Sequence, residues 1–192
     1  MDLSNCHIGF GITGSFCTFA VIRKEIKRLV DLGAKVTPVF SYETQRLDTR
    51  FGSAKEFVEG ICLMTESEGI RTIPEAEPIG PNPFLDVMVI APCTGNTLAK
   101  LACGITDTAV CMVAKAHLRG DRPVVIALAS NDAMSANFKN IATLYSRKNM
   151  FFVPMIQDDP EKKPHSLVSD FSLIPQTLEG ALKGIQIRKM IL

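Results

Sequence analysis

Six consecutive residues, Pro92-Cys93-Thr94-Gly95-Asn96-Thr97, combine two hydroxyls, a thiol, a carboxamide and a glycine. With the free N–H groups of a following helix, such a loop suits an anion or a heterocycle rich in acceptors. A companion stretch reads Gly11-Ile12-Thr13-Gly14-Ser15. Gly11 and Gly14 permit a tight turn with close backbone approach. Thr13 and Ser15 add hydroxyl donors, so a phosphate can sit at the start of the next helix. The alternative is that the glycines only turn the chain.

Single residues elsewhere carry further chemistry. Arg50 lies in a polar loop, and its guanidinium fork can take a carboxylate bidentately or be solvated. Lys162 and Lys163 could serve a second carboxylate, but Asp158, Asp159 and Glu161 surround them, so the expectation is a solvated charged loop. Cys93 has no histidine or lysine close in sequence, so it reads as a packing residue and not a nucleophile. Asp107 either caps the next helix or faces a ligand. Asp132 is the acid best placed for proton work, although the sequence assigns it no role as a base.

These residues need a frame. An apolar run, 87–90, reads as a buried strand that ends at Ala91-Pro92, with a helix over about 97–102. Further strands are expected around Gly9, at 35–40, at 124–129 and at 150–153. Helices are expected over about 16–32, from a capping box at Ser53-Ala-Lys-Glu56, over 108–118, and after Met134 to about Arg147. Pro175 opens a last helix near its first turn. Residues 41–52 read as a polar loop, 69–84 as a proline-rich connector, and 154–165 as a charged loop. Alternation of strands and helices implies a doubly wound parallel sheet in three layers, α/β/α, over one domain, 1–192. The exit loops at 11–15, 41–46, 92–97, 130–134 and 154–160 then share one edge. Ser41, Ser130 and Asn131 join the ligand candidates on that ground.

Composition narrows the classes. The 192 residues are 46% hydrophobic with a net charge of +1, so no global field favours nucleic acid or membrane. No apolar run reaches the roughly 18 residues of a membrane span. Residues 1–7 are polar and do not read as a signal peptide. Cys6, Cys17, Cys62, Cys93, Cys103 and Cys111 contain no C-x-x-C pair, so reduced thiols in a cytoplasmic protein are expected, without a metal site.

Gly9-Phe-Gly11-Ile-Thr-Gly14 formally matches the dinucleotide fingerprint. The second strand, however, ends Val39-Phe40-Ser41 without the acidic residue that would hold a ribose. A mononucleotide is favoured over NAD.

Gly11-Ile-Thr-Gly-Ser15, Ala91-Pro-Cys-Thr-Gly-Asn-Thr97 and Gly104-Ile-Thr-Asp-Thr108 together resemble the three FMN-contacting segments of one flavoprotein family. That family includes phosphopantothenoylcysteine decarboxylase, the lantibiotic cysteine decarboxylases and the flavin prenyltransferases. The resemblance implies a Rossmann-like flavoprotein fold and FMN phosphate on the first segment. It also implies flavin on the second and a third segment, with Asp107, that reaches a neighbouring subunit in a homotrimer or multiple of trimers.

Thr49-Arg-Phe-Gly52, Ser130-Asn-Asp-Ala133, Phe151-Phe-Val-Pro154, Gln157-Asp-Asp-Pro160 with Lys162-Lys-Pro164, and Leu173-Ile-Pro-Gln-Thr177 are similar to one branch of that family, the B subunits of dipicolinate synthases. This implies dihydrodipicolinate oxidation during sporulation, with an A subunit that carries its own NADP site. Arg50 and Asp132 would then face the substrate. The family's cysteine decarboxylases use a histidine after the second strand. Residues 34–85 have none, and the three histidines are His7, His117 and His165. A non-catalytic stabilising subunit and a decarboxylase with a different acid stay open as alternatives.

Overall fold

A computed structural model describes residues 3–187 and 189–192. Met1 and Asp2, part of the polar N-terminal stretch, lie outside the described residues. The strands are β1 (His7–Ile12), β2 (Lys35–Phe40), β3 (Val87–Cys93), β4 (Val124–Ser130), β5 (Met150–Phe152), β6 (Met155–Ile156) and β7 (Leu167–Ser169). The helices are α1 (Phe19–Asp31), α2 (Tyr42–Arg46), α3 (Ala54–Thr65), α4 (Ile73–Ala76), α5 (Gly95–Cys103), α6 (Ala109–Arg119), α7 (Phe138–Tyr145) and α8 (Ile174–Leu182).

Strands pair in parallel in the order β2-β1-β3-β4-β5. This is a doubly wound order whose crossovers place helices on both faces. Side chains alternate along each strand, and two cores result. Ile8, Phe10, Val87, Val89, Val125 and Ala127 pack under α1, α3 and α8. Met88, Ile90, Val124, Ile126 and Leu128 pack under α5, α6 and α7.

On that second face β1 presents His7 at its start and then Gly9 and Gly11. A Cβ on Gly9 would lie 2.7 Å from Leu85, and one on Gly11 3.1 Å from Val110 and 3.2 Å from Met88. Gly11 was expected in a phosphate turn. It lies inside β1, where Val110 of α6 and Met88 of β3 approach so closely that a side chain would have to push them aside.

Three expectations need correction. Residues 41–52 include α2, because Ser41 caps it by accepting from the Thr44 N–H. The proline-rich connector holds α4, started by a Thr72–Glu75 capping box with proline in the first turn. The charged loop after β5 is part of a hairpin. β6 pairs antiparallel with β7, and β7 pairs antiparallel with the end of β4 at Ala129 and Ser130. Strands of two and three residues are too short to show periodicity. No helix among the described residues is long and apolar enough to cross a membrane.

His117 of α6 is buried at 1% exposure, and its ring nitrogens lack a well-formed hydrogen bond. Burial, aided by the Arg122 charge and opposed by the Pro123 backbone and then Asp86, pushes its pKa down to about 4. The unfolded chain therefore takes up this proton near pH 6.5 and the folded chain only near 4. The His117 contribution to stability is complete above about pH 6.5 and should fall by roughly 3 kcal/mol on acidification to about pH 4. Urea unfolding at stepped pH checks this, and His117→Leu should flatten the slope in that window.

Candidate functional site

The carboxyl ends of β1, β3 and β4 open onto a cavity of about 670 Å3. Gly14 and Ser15 line it from the β1 exit, Thr94, Gly95 and Asn96 from the β3 exit, and Ser130, Asn131 and Asp132 from the β4 exit. Parallel strands bring these three loops together because each must leave the sheet at the same edge.

Thr13 ties two of the loops. Its hydroxyl donates to the Pro92 carbonyl at 2.7 Å and accepts from the Thr94 N–H at 3.0 Å. Its own N–H donates to the same Pro92 carbonyl at 3.3 Å. Pro92 follows a cis peptide bond. Thr13 is therefore 1% exposed and works as a bridge between loops, where the sequence suggested a donor to phosphate. The Ser15 N–H is likewise used, on the Thr13 carbonyl at 2.8 Å.

Beyond Ser15 the chain makes one 3-10 turn, Phe16–Thr18, and runs into α1. Neither N-cap residue, Ser15 or Thr18, bonds the helix through its side chain. This N-terminus faces the cavity through Phe16, Cys17 and Thr18. The Thr18 and Phe19 N–H groups close this turn on the Ser15 and Phe16 carbonyls, and the helix dipole favours an anion there.

The second loop is built differently. Thr94 caps α5 by accepting from the Thr97 N–H, so α5 begins at Gly95, two residues before its expected start. Thr97 is buried inside that turn and takes the Thr94 hydroxyl proton at 3.2 Å. A Cβ on Gly95 would lie 2.5 Å from both the Asn137 amide nitrogen and the Ser130 hydroxyl, and 2.8 Å from an Asp132 oxygen. Glycine is required because those side chains fill the space. Asp132 accepts from the Ser130 hydroxyl and, at 2.9 Å, from Asn137. Residues 131–137 form turns closed on the Asp132 carbonyl, which is why α7 starts only at Phe138. Asn96 and Asn131 are exposed, and their amides can meet a heterocycle.

Other candidates are placed apart from the cavity. Cys93 is fully buried, and burial, with the Cys111 thiol beside it, raises its pKa far from thiolate chemistry. It packs, as expected. Ser41 is buried as the α2 cap and does not line the cavity. Asp107 caps no helix, because Thr108 holds that position on α6. Asp107 instead pairs with Lys100 at 2.8 Å and remains largely exposed. The histidines all lie elsewhere. His7 bonds Thr37 at 2.9 Å, His117 is in the α6 core, and His165 gives its carbonyl to Met134.

Two walls come from segments that the sequence left as loops. Arg50 and Phe51 reach the cavity from the turn after α2, with the guanidinium 4.9 Å over the Phe51 ring. The β6–β7 hairpin adds Asp158, Lys163, Ser166 and Val168. Lys163 pairs with Asp158 at 2.7 Å. Against its partial burial, the Asp158 carboxyl is lowered by bonds from Lys163 and Ser166, and the ammonium is raised in turn. Lys163 read as solvated because its neighbours in sequence are acidic. Pairing of β7 with β4 is what carries it to the site.

A family model for flavoproteins matches residues 1–172. The chain belongs to the flavoprotein family. A relative from Bacillus subtilis (strain 168), the B subunit of dipicolinate synthase, is 46% identical over 190 residues, covering 99% of this chain and 95% of that protein. The crystal structure of the B subunit of dipicolinate synthase from Bacillus halodurans superimposes with a TM-score of 0.92 at 44% identity, covering 100% and 98% of the two chains. An FMN-dependent cysteine decarboxylase, SpaF, shares the fold at a TM-score of 0.70 and 23% identity, covering 93% and 98%.

The cavity fits FMN by its chemistry. It offers an uncapped helix start for a phosphate, two side-chain amides and hydroxyls for a heterocycle, and a volume within the usual range for cofactors.

The Thr13 bridge yields a direct test. Thr13→Val keeps the shape but leaves the Thr94 N–H and the Pro92 carbonyl without that hydroxyl. It should cost about 1–3 kcal/mol in chemical denaturation.

Proposed function

We propose that this cavity holds FMN and that the chain is the B subunit of a dipicolinate synthase. With a separate A subunit it converts dihydrodipicolinate to dipicolinate, in the mother-cell cytoplasm of a sporulating bacterium. The observation that carries this is likeness over nearly the whole length to two dipicolinate synthase B subunits. No histidine among the described residues lines the cavity, which disfavours the cysteine decarboxylase alternative. The single-domain reading, 1–192, and a homo-oligomer based on trimers belong to the same proposal, with exposed Asp107 facing a neighbouring copy.

The reaction removes a hydride equivalent and a proton from the dihydropyridine ring, and aromaticity supplies the driving force. Bound FMN supplies a two-electron acceptor, and NADP on the A subunit is the alternative acceptor. The chain's own residues bind and orient. The α1 start with Gly14 and Ser15 takes the phosphate. Thr94, Gly95, Asn96, Ser130 and Asn131 frame the heterocycle. Asp132 sets the shape of the β4 exit through Ser130 and Asn137. Arg50, fixed over Phe51 at the rim, takes a substrate carboxylate.

Purified protein should be yellow, with absorbance near about 450 nm from the flavin itself. A Gly14 Cβ would meet Glu43 and Phe16 at 3.4 and 3.6 Å, so the chain accommodates a side chain there. Gly14→Val should leave helix content intact by circular dichroism and strip the colour, because its methyl groups occupy the phosphate approach. Retained colour would remove Gly14 from the site.

With the A subunit, ultraviolet absorbance of the pyridine product should rise faster than with the A subunit alone. Equal rates would favour the stabilising-subunit reading. Arg50→Ala should raise KM roughly tenfold to over a hundredfold, since a charge-assisted contact is worth about 1.5–3 kcal/mol. An unchanged KM would remove only Arg50.

A further inference from the structure

A second cavity, of about 430 Å3, lies between α1 and α3 under the segment 47–53. Its floor is aromatic. Phe19 and Phe57 stack at 4.1 Å with 18° between planes, and Phe51 is half exposed above them. Its rim is cationic. Arg23, Lys24 and Lys27 line it from α1, with Lys27 four residues from Arg23 and three from Lys24 and so beside both. No aspartate or glutamate among the described residues lines it.

Lys27 is held by Asp31 at 2.8 Å. Arg23 and Lys24 form no ion pair among the described residues. The Arg23 guanidinium lies across Gly60 of α3, where a Cβ would sit 3.2 Å from its nitrogen. The missing side chain at position 60 gives the guanidinium its place.

Two cations without ion-pair partners beside aromatic rings, with no carboxylate among the described lining residues, suit an aromatic acid. A flat ring can pack against half-exposed Phe51 and the rim of the Phe19–Phe57 pair. Carboxylates on that ring take the Arg23 fork and the Lys24 ammonium. The volume is in the range of small-ligand pockets. We infer that this cavity binds a planar ring dicarboxylate. Its identity as dipicolinate or the dihydro precursor rests on the function proposed above. Phe16 and Phe51 also line the first cavity, so a ring held here abuts the flavin site.

Isothermal titration of the full-length protein, with dipicolinate as the probe, tests this. Benzoate serves as the mono-acid control. Arg23→Ala with Lys24→Ala should weaken dipicolinate at least about tenfold, weaken benzoate less, and leave absorbance near about 450 nm unchanged. Absence of binding by the unaltered protein overturns the inference. So does affinity that the double variant does not change. A double variant that alters mass by light scattering without altering affinity also overturns it and marks the surface as a contact between copies. If the subunit pair makes no dipicolinate yet binding still depends on Arg23 and Lys24, the proposed function fails and the site stands.

Discussion

One buried hydroxyl organises the ligand edge. Thr13 joins the β1 exit to the β3 exit by donating to Pro92 and accepting from Thr94. Without the hydroxyl the Thr94 N–H loses its acceptor, which costs about 1–3 kcal/mol, while the Pro92 carbonyl keeps only the Thr13 N–H. The bridge also fixes Thr94, which caps α5 and sets where Gly95 and Asn96 stand. Gly95 in turn admits the Ser130–Asp132–Asn137 cluster from the third loop. Three loops thus form one rigid floor beneath the cavity, leaving the α1 start and two side-chain amides facing the open space.

The sheet behind this edge is divided unequally. Phe10 and Ile12 fill one side of β1, while Gly9 and Gly11 leave the other side bare. Val110 of α6 and Met88 of β3 move into that space. Glycine here allows close packing and is not used for a turn. A glycine-rich stretch at the end of a first strand therefore carries two functions at once. Gly9 and Gly11 belong to the core, and only Gly14 reaches the cavity.

The two cavities differ in the chemistry they offer. The first has hydroxyls, amides and an uncapped helix start, with Arg50 and Lys163 at its rim. The second has stacked rings and free cations. The turn at residues 49–52, closed by paired Thr49 and Gly52 bonds, separates them. Arg50 and Phe51 at its tip place a cation and a ring at the boundary.

The sequence by itself determined the alternating α/β order, the five parallel strands and the edge on which ligand loops gather. Apolar runs such as 87–90 and 124–129 and caps such as Ser53 are local signals, and local signals survive without a partner. It also marked Thr94, Gly95, Asn96, Ser130, Asn131, Asp132 and Arg50, all of which reach the cavity. Tertiary structure alone decided the rest. Whether Thr13 met a phosphate or Pro92 depended on a segment 79 residues away. The place of Lys163 depended on β7 pairing with β4, and strands of two or three residues carry no period to read. The second cavity needed α1 and α3 side by side. Contacts between distant segments are set by how the sheet brings them together, and spacing along the chain does not encode that distance.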